Sequence, residues 1–163
     1  MAPLKAFGTR VGIAKGVRTQ VIALLNQQLA DTMDLYTQTK QAHWNVKGAQ
    51  FFQIHLLFDK LAEEVEGYAD LLAERATALG GTALGTARQV SEASQLDEYP
   101  SGATSVLASV DALAARYATL GESTRAAIAT ATTLADPATA DLFTQLSRGL
   151  DTSLWFLEAH LQS

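Results

Sequence analysis

Hydrophobic side chains recur at spacings of three and four residues along most of the chain, a pattern typical of helices with one buried face. Three long helices are predicted, over residues 16–43, 49–79 and 103–133. The third is expected to bury Leu107 with the rest of its apolar stripe. No apolar–polar alternation of useful length predicts a strand.

A fourth helix has the clearest start. Asp136 is a good N-cap, and Pro137 suits the first helical position, where its missing N–H does no harm. Its apolar face is expected to include Trp155. The connection at residues 82–102 is expected to hold a short helix near residues 92–96. The pattern predicts an all-α four-helix bundle with a short extra helix between helices two and three.

Composition narrows the class of protein further. The 163 residues are 48% hydrophobic and include no cysteine, which excludes disulfide scaffolds, thiolate metal sites and iron–sulfur clusters. No signal peptide or membrane-length apolar run is evident, so we expect a cytoplasmic location and no membrane partner. The net charge is −5, although the first 18 residues carry only basic charges. We predict a flexible basic arm over residues 1–15 and one bundle domain over residues 16–163.

One face of the second helix carries an unusual set of charged residues. Spacings of four, four, three, four and four place six side chains within an arc of about 100°: His55, Asp59, Glu63, Glu66, Asp70 and Glu74. Like charges four residues apart destabilise a helix, so the stripe needs an explanation. Two remain open at this point: a solvated acidic face, or a surface where hard cations neutralise the carboxylates. Imidazole with carboxylates and no thiol suits ferrous iron, manganese or zinc.

The stripe contains two pairs of ligand-type residues. His55 and Asp59 form one pair, Asp70 and Glu74 the other, with about 22 Å between their centres along the helix axis. The pairs cannot share an ion within one chain. Two copies of the helix packed antiparallel about a two-fold axis near residues 64–65 would bring each pair against its complement. The pattern thus suggests two equivalent metal sites shared between subunits.

Three motifs around the stripe follow the order of a known family. They are His43-Trp44-Asn45-Val46-Lys47-Gly48, then Phe51-Phe52-x-x-His55-x-x-Phe58-Asp59, and Asp70-x-x-Ala73-Glu74-Arg75. With these motifs, and with residues 154–158 near its end, the chain resembles the Dps family of the ferritin-like superfamily, the DNA-binding proteins from starved cells.

The resemblance implies a hollow homo-dodecamer of ferritin-like four-helix subunits. It implies a ferroxidase centre at the two-fold interface, with ligands His43, His55 and Asp59 from one chain and Asp70 and Glu74 from its neighbour. There Fe(II) would be oxidised, preferably by hydrogen peroxide and otherwise by dioxygen. The ferric mineral would be stored in the cavity, protecting the cell against oxidative stress. Zinc or manganese also suits the same ligands.

The resemblance assigns roles to further residues. Trp44 would lie beside the catalytic centre, and Glu63 and Glu66 would nucleate mineral on the inner wall. Typical ferritins instead place Glu-x-x-His motifs inside each bundle. The sequence contains no such motif, which disfavours a di-iron site within one subunit.

Two other functions remain open on the sequence. The first is a DNA-compacting nucleoid protein that uses the basic N-terminal arm, with the metal site secondary; this would place the protein on the bacterial nucleoid. The arm holds only two Lys and two Arg over 18 residues, so DNA would be bound weakly unless many arms act together. The second is a purely structural helical oligomer with a solvated acidic stripe.

Overall fold

The computed structural model describes residues 6–162, and these form an all-helical chain. Its helices are α1 (Lys15–Asn45), α2 (Phe51–Ala78), α3 (Ala87–Ala93), α4 (Val106–Thr133) and α5 (Pro137–Glu158). The long helices pack mainly as two pairs, α1 against α2 and α4 against α5, and α3 lies against α1. The predicted four-helix bundle with a short extra helix between helices two and three is therefore confirmed.

The start of α5 is as the sequence predicts. The Asp136 carboxylate accepts the backbone N–H of Thr139 at 3.1 Å, and Pro137 occupies the first turn. The end of α2 at Ala78 lies within one residue of the predicted end, and the Gly80-Gly81 pair follows it. Gly80 has a φ of 88°, and a Cβ there would lie 2.5 Å from the carbonyl oxygen of Phe7. Glycine is required at this turn both for its backbone conformation and for this close approach.

The short helix α3 lies earlier than residues 92–96, where the sequence placed it. A capping box starts it: Thr86 and Gln89 bond reciprocally through side chain and backbone. The helix ends before Ser94 and Gln95, and both of these residues form hydrogen bonds to side chains of α1. The Ser94 hydroxyl donates to Asp34 at 2.6 Å, and the Gln95 N–H donates to Asp31 at 2.7 Å. Contacts from a distant helix thus fix where α3 ends.

Two apolar residues expected in the core lie on the surface instead. Leu107 is 60% exposed, because α4 turns Val106 and Val110 inward and Leu107 lies about 100° from Val106 around the helix. Trp155 is 62% exposed, because α5 turns Ser153 and Leu157 inward. The apolar pattern of both helices therefore covers more than the face that packs within this chain.

Part of the predicted N-terminal arm lies against the bundle. Residues 1–5 are outside the described part of the chain, so the position of Lys5 is too. From Ala6 onward the segment follows the end of α2: the Phe7 N–H donates to the Gly80 carbonyl at 2.9 Å, and the Thr9 hydroxyl donates to the Ala78 carbonyl at 3.3 Å. Flexibility of the arm stays a prediction. Within residues 6–162, no helix is long and apolar enough to cross a membrane.

Candidate metal centre

His43 and His55 meet where α1 turns into α2. His43 is two residues from the end of α1, and His55 is in the second turn of α2. The short loop between them reverses through Gly48 (φ 114°) and Gln50 (φ 64°). The two imidazole rings stack with their centroids 3.7 Å apart and their planes 20° from parallel. The loop therefore brings together two side chains that are twelve residues apart in sequence.

The two histidines are held by reciprocal hydrogen bonds. Nδ1 of His43 lies 2.9 Å from the carbonyl oxygen of His55, and Nδ1 of His55 lies 2.9 Å from the carbonyl oxygen of His43. A carbonyl oxygen only accepts, so each Nδ1 carries its hydrogen and donates. In the neutral imidazole, Nε2 then keeps its lone pair and can bind a metal. Both rings are thus fixed in the tautomer suited to ligation through Nε2.

Asp59 lies one helical turn after His55, beside these rings. Its Oδ1 is 3.8 Å from Nε2 of His43, and the side chain is 55% exposed. Lys40 of α1 donates to the same oxygen at 2.7 Å. This hydrogen bond and the positive charge of Lys40 hold the pKa of Asp59 below its ordinary value, so the carboxylate is ionised at neutral pH.

Sequence reasoning did not identify Lys40. A signal was present, because Lys40 precedes His43 by three residues and therefore lies one turn away on the same side of α1. Its contact with Asp59 depends on the packing of α1 against α2, which the pattern of either helix alone does not specify.

The second ligand pair lies apart from the first within one chain. Asp70 and Glu74 are exposed on α2, and the helical rise places their midpoint about 22 Å from that of His55 and Asp59. Among residues 6–162 of one chain, no three His, Asp or Glu side chains are grouped closely enough to hold a metal ion by themselves. One chain therefore presents two separate sets of ligands rather than a complete site.

The other residues of the predicted site lie at the surface. Glu63 and Glu66 are exposed on α2 between the two ligand pairs. Trp44 is 67% exposed next to His43, so its indole is not part of the core of this chain. Glu64, by contrast, points into the bundle, where the hydroxyls of Tyr68 and Ser153 donate to its carboxylate. The acidic residues of α2 are thus divided between an outer stripe and one inward carboxylate.

The end of α2 that carries Glu74 is tied to the turn between α4 and α5. Nε of Arg75 donates to the Thr139 hydroxyl at 2.9 Å. One guanidinium nitrogen of Arg75 lies 2.9 Å and 3.1 Å from the two oxygens of Asp136. Because Arg75 follows Glu74 directly, this clamp fixes the rotation of the last turns of α2 and thereby the direction of the exposed pair.

The fold and the arrangement of its helices define a ferritin-like protein. The model of the ferritin family, described as a ferritin-like domain, matches residues 22–163. A "DNA protection during starvation protein" from Agrobacterium fabrum is 43% identical over 159 residues, 98% of each chain. Another, from Brevibacillus brevis, is 33% identical over 90% of this chain and 97% of its own.

Similar solved structures support the same family assignment. DpsA14 from Streptomyces coelicolor superposes with a TM-score of 0.92 at 36% identity, covering 99% of this chain and 96% of its own. A tetragonal form of Mycobacterium smegmatis Dps gives a TM-score of 0.91 at 34% identity, covering 96% and 95%. The chain therefore belongs to the Dps family of ferritin-like proteins.

Proposed function

We propose that this protein is a ferroxidase that oxidises Fe(II) at a centre shared between two subunits and stores the ferric product in a cage of twelve subunits. The observation that carries the proposal is the His43–His55 pair, with both Nε2 atoms free to ligate and Asp59 beside them. Two imidazoles and carboxylates form a ligand set suited to Fe(II). Zinc or manganese can occupy the same ligands and would then compete with iron.

Asp70 and Glu74 of a neighbouring subunit complete the proposed centre. Both are exposed on the same helix as His55 and Asp59, and antiparallel packing of two α2 helices near residues 64–65 would place each pair against its complement. The centre would then occur twice at each two-fold interface. Charge supports this pairing, because the second pair brings two carboxylates to a half-site that has only one.

The proposed reaction removes iron and peroxide together. Two Fe(II) ions give one electron each to one molecule of hydrogen peroxide, and two protons complete the formation of two waters. Because the peroxide receives both electrons at one centre, no hydroxyl radical is released. Dioxygen would serve as a slower oxidant. Glu63 and Glu66 would then bind the ferric product on the inner wall, and Trp44 would lie beside the centre.

Anaerobic titration of the metal-stripped protein with Fe(II), followed by hydrogen peroxide, tests this function. In the wild type we expect fast formation of Fe(III) that saturates at a small fixed number of ions per subunit. His55→Ala/Asp59→Ala should lose this phase, because it removes two ligands from every centre. Asp111→Asn, an exposed change on α4, should retain it. Equally slow oxidation by wild type and the double variant would contradict the proposal.

DNA binding is the second candidate function. It is favoured by the basic residues of the N-terminal segment and by the name of the relatives, "DNA protection during starvation protein". Twelve such segments would contact phosphates together, even though each is weak. A salt-sensitive DNA complex that disappears in Lys5→Gln/Arg10→Gln/Lys15→Gln would support this function. Retention of the complex in the triple variant would exclude the arm as its cause.

A further inference from the structure

Lys40 and His43 both lie close to the same oxygen of Asp59. Nζ of Lys40 lies 2.7 Å from Oδ1, and Nε2 of His43 lies 3.8 Å from that same Oδ1. Bonds from a divalent ion to imidazole nitrogen or carboxylate oxygen are about 2.1 Å long. A separation of 3.8 Å is therefore short enough for one ion to bind both atoms. An ion bound between these two atoms would use Oδ1 of Asp59, which already accepts the hydrogen bond from Lys40.

The ammonium group also cancels the only negative charge of this half-site. His43 and His55 are ligands through neutral nitrogens, so Asp59 is the single anionic group, and Lys40 brings that sum to zero. Lys40 is mostly buried, with a side chain 21% exposed, so water screens its charge less than at an open surface. A divalent ion arriving at Asp59 is repelled by this ammonium group at close range.

We propose that Lys40 competes with a divalent ion for Asp59, so that the half-site of one chain binds metal only when two carboxylates of a second chain are added. This rests on the proposed shared centre. Lys40 is thus a positioning residue that acts through Asp59. Asp70 and Glu74 of the neighbouring chain supply the charge that outweighs it. Metal binding is thereby made conditional on correct pairing of subunits.

Titration of the assembled, metal-stripped protein with Co(II) tests this role, with calorimetry for affinity and visible absorption for ligand geometry. Lys40→Met should raise the affinity at least about tenfold, since a nearby opposing charge is removed. Lys40→Arg should bind Co(II) as the wild type does, because the competing charge is kept. Lys60→Met, which removes an exposed lysine of α2, should leave the affinity unchanged.

The decisive comparison removes the carboxylates of the second chain. Asp70→Asn/Glu74→Gln should lose Co(II) binding while Lys40 is present and regain it when Lys40→Met is added. Failure of Lys40→Met to raise affinity in either background would overturn the role of Lys40. Lys40→Gln provides a second variant that keeps a polar side chain, and circular dichroism verifies folding of each.

A separate variant distinguishes this inference from the proposed centre itself. Asp59→Asn should abolish Co(II) binding in the wild-type background. If Asp59→Asn and wild type bind Co(II) equally, the proposed metal centre with Asp59 as a ligand is refuted. If Asp59→Asn abolishes binding but Lys40→Met changes nothing, the centre stands and the role of Lys40 is refuted.

Discussion

Asp136 connects two helices through one carboxylate. It caps α5 by accepting from the backbone and hydroxyl of Thr139, and it holds Arg75 of α2 through both oxygens. Burial alone would raise the pKa of this carboxyl. The hydrogen bonds from Thr139 and the charge of Arg75 outweigh burial and hold the pKa below its ordinary value. Its contribution to stability is therefore present at neutral pH and is lost as pH falls through the lowered pKa.

We accordingly expect Asp136→Ala to lower the free energy of unfolding by about 2 kcal/mol at pH 7, since it removes a helix cap and a buried ion pair. The difference from wild type should shrink below about pH 4, where the carboxyl becomes protonated in the unfolded chain and then in the folded one. Chemical denaturation at pH 7 and pH 3.5 measures both values, with Asp111→Asn as an exposed control that should change little. A loss independent of pH would show that the charge contributes nothing.

At the scale of the elements, the sequence predicts helices well and their ends less well. Long 3.6-residue periodicity specifies α1, α2, α4 and α5, and the cap at Asp136 is local chemistry that can be recognised directly. The position of α3 differs from the predicted one because its end depends on Asp31, 64 residues before Gln95 in the chain. Local pattern carries no information about such a partner.

The same limit applies to the candidate site. Spacing alone selects His55, Asp59 and the pair further along α2, because all lie on one helical face. The ring stacking with His43 and the contact from Lys40 arise only when α1 packs against α2. Periodicity also assigns Leu107 and Trp155 to the apolar stripes of their helices, but it does not show whether those positions pack inside this chain or lie on its surface.

At the scale of the whole molecule, the separation of the two ligand pairs gives a direct test of sharing. His55→Ala/Asp59→Ala removes one pair, and Asp70→Asn/Glu74→Gln removes the other. Each variant alone should lack the fast phase of Fe(II) oxidation. When the two are unfolded together and reassembled as a random mixture, half of the two-fold pairs are mixed, and each mixed pair contains one intact centre. About a quarter of the wild-type centres should return.

Stopped-flow oxidation of the reassembled mixture measures this recovery. Wild type taken through the same reassembly defines full activity, and each variant reassembled alone defines the background. Activity that stays at background in the mixture, while wild type recovers, would show that the two pairs do not meet across a two-fold axis.

The reciprocal bonds between His43 and His55 have a consequence for how such a site changes over generations. Each imidazole is oriented by the main chain of the other residue, so replacing one ring leaves the hydrogen bond of the other ring in place. The orientation of both rings therefore depends on the path of the loop that sets the two carbonyl oxygens opposite the rings. Descendants of this sequence that keep both histidines should also keep the length of the loop between them.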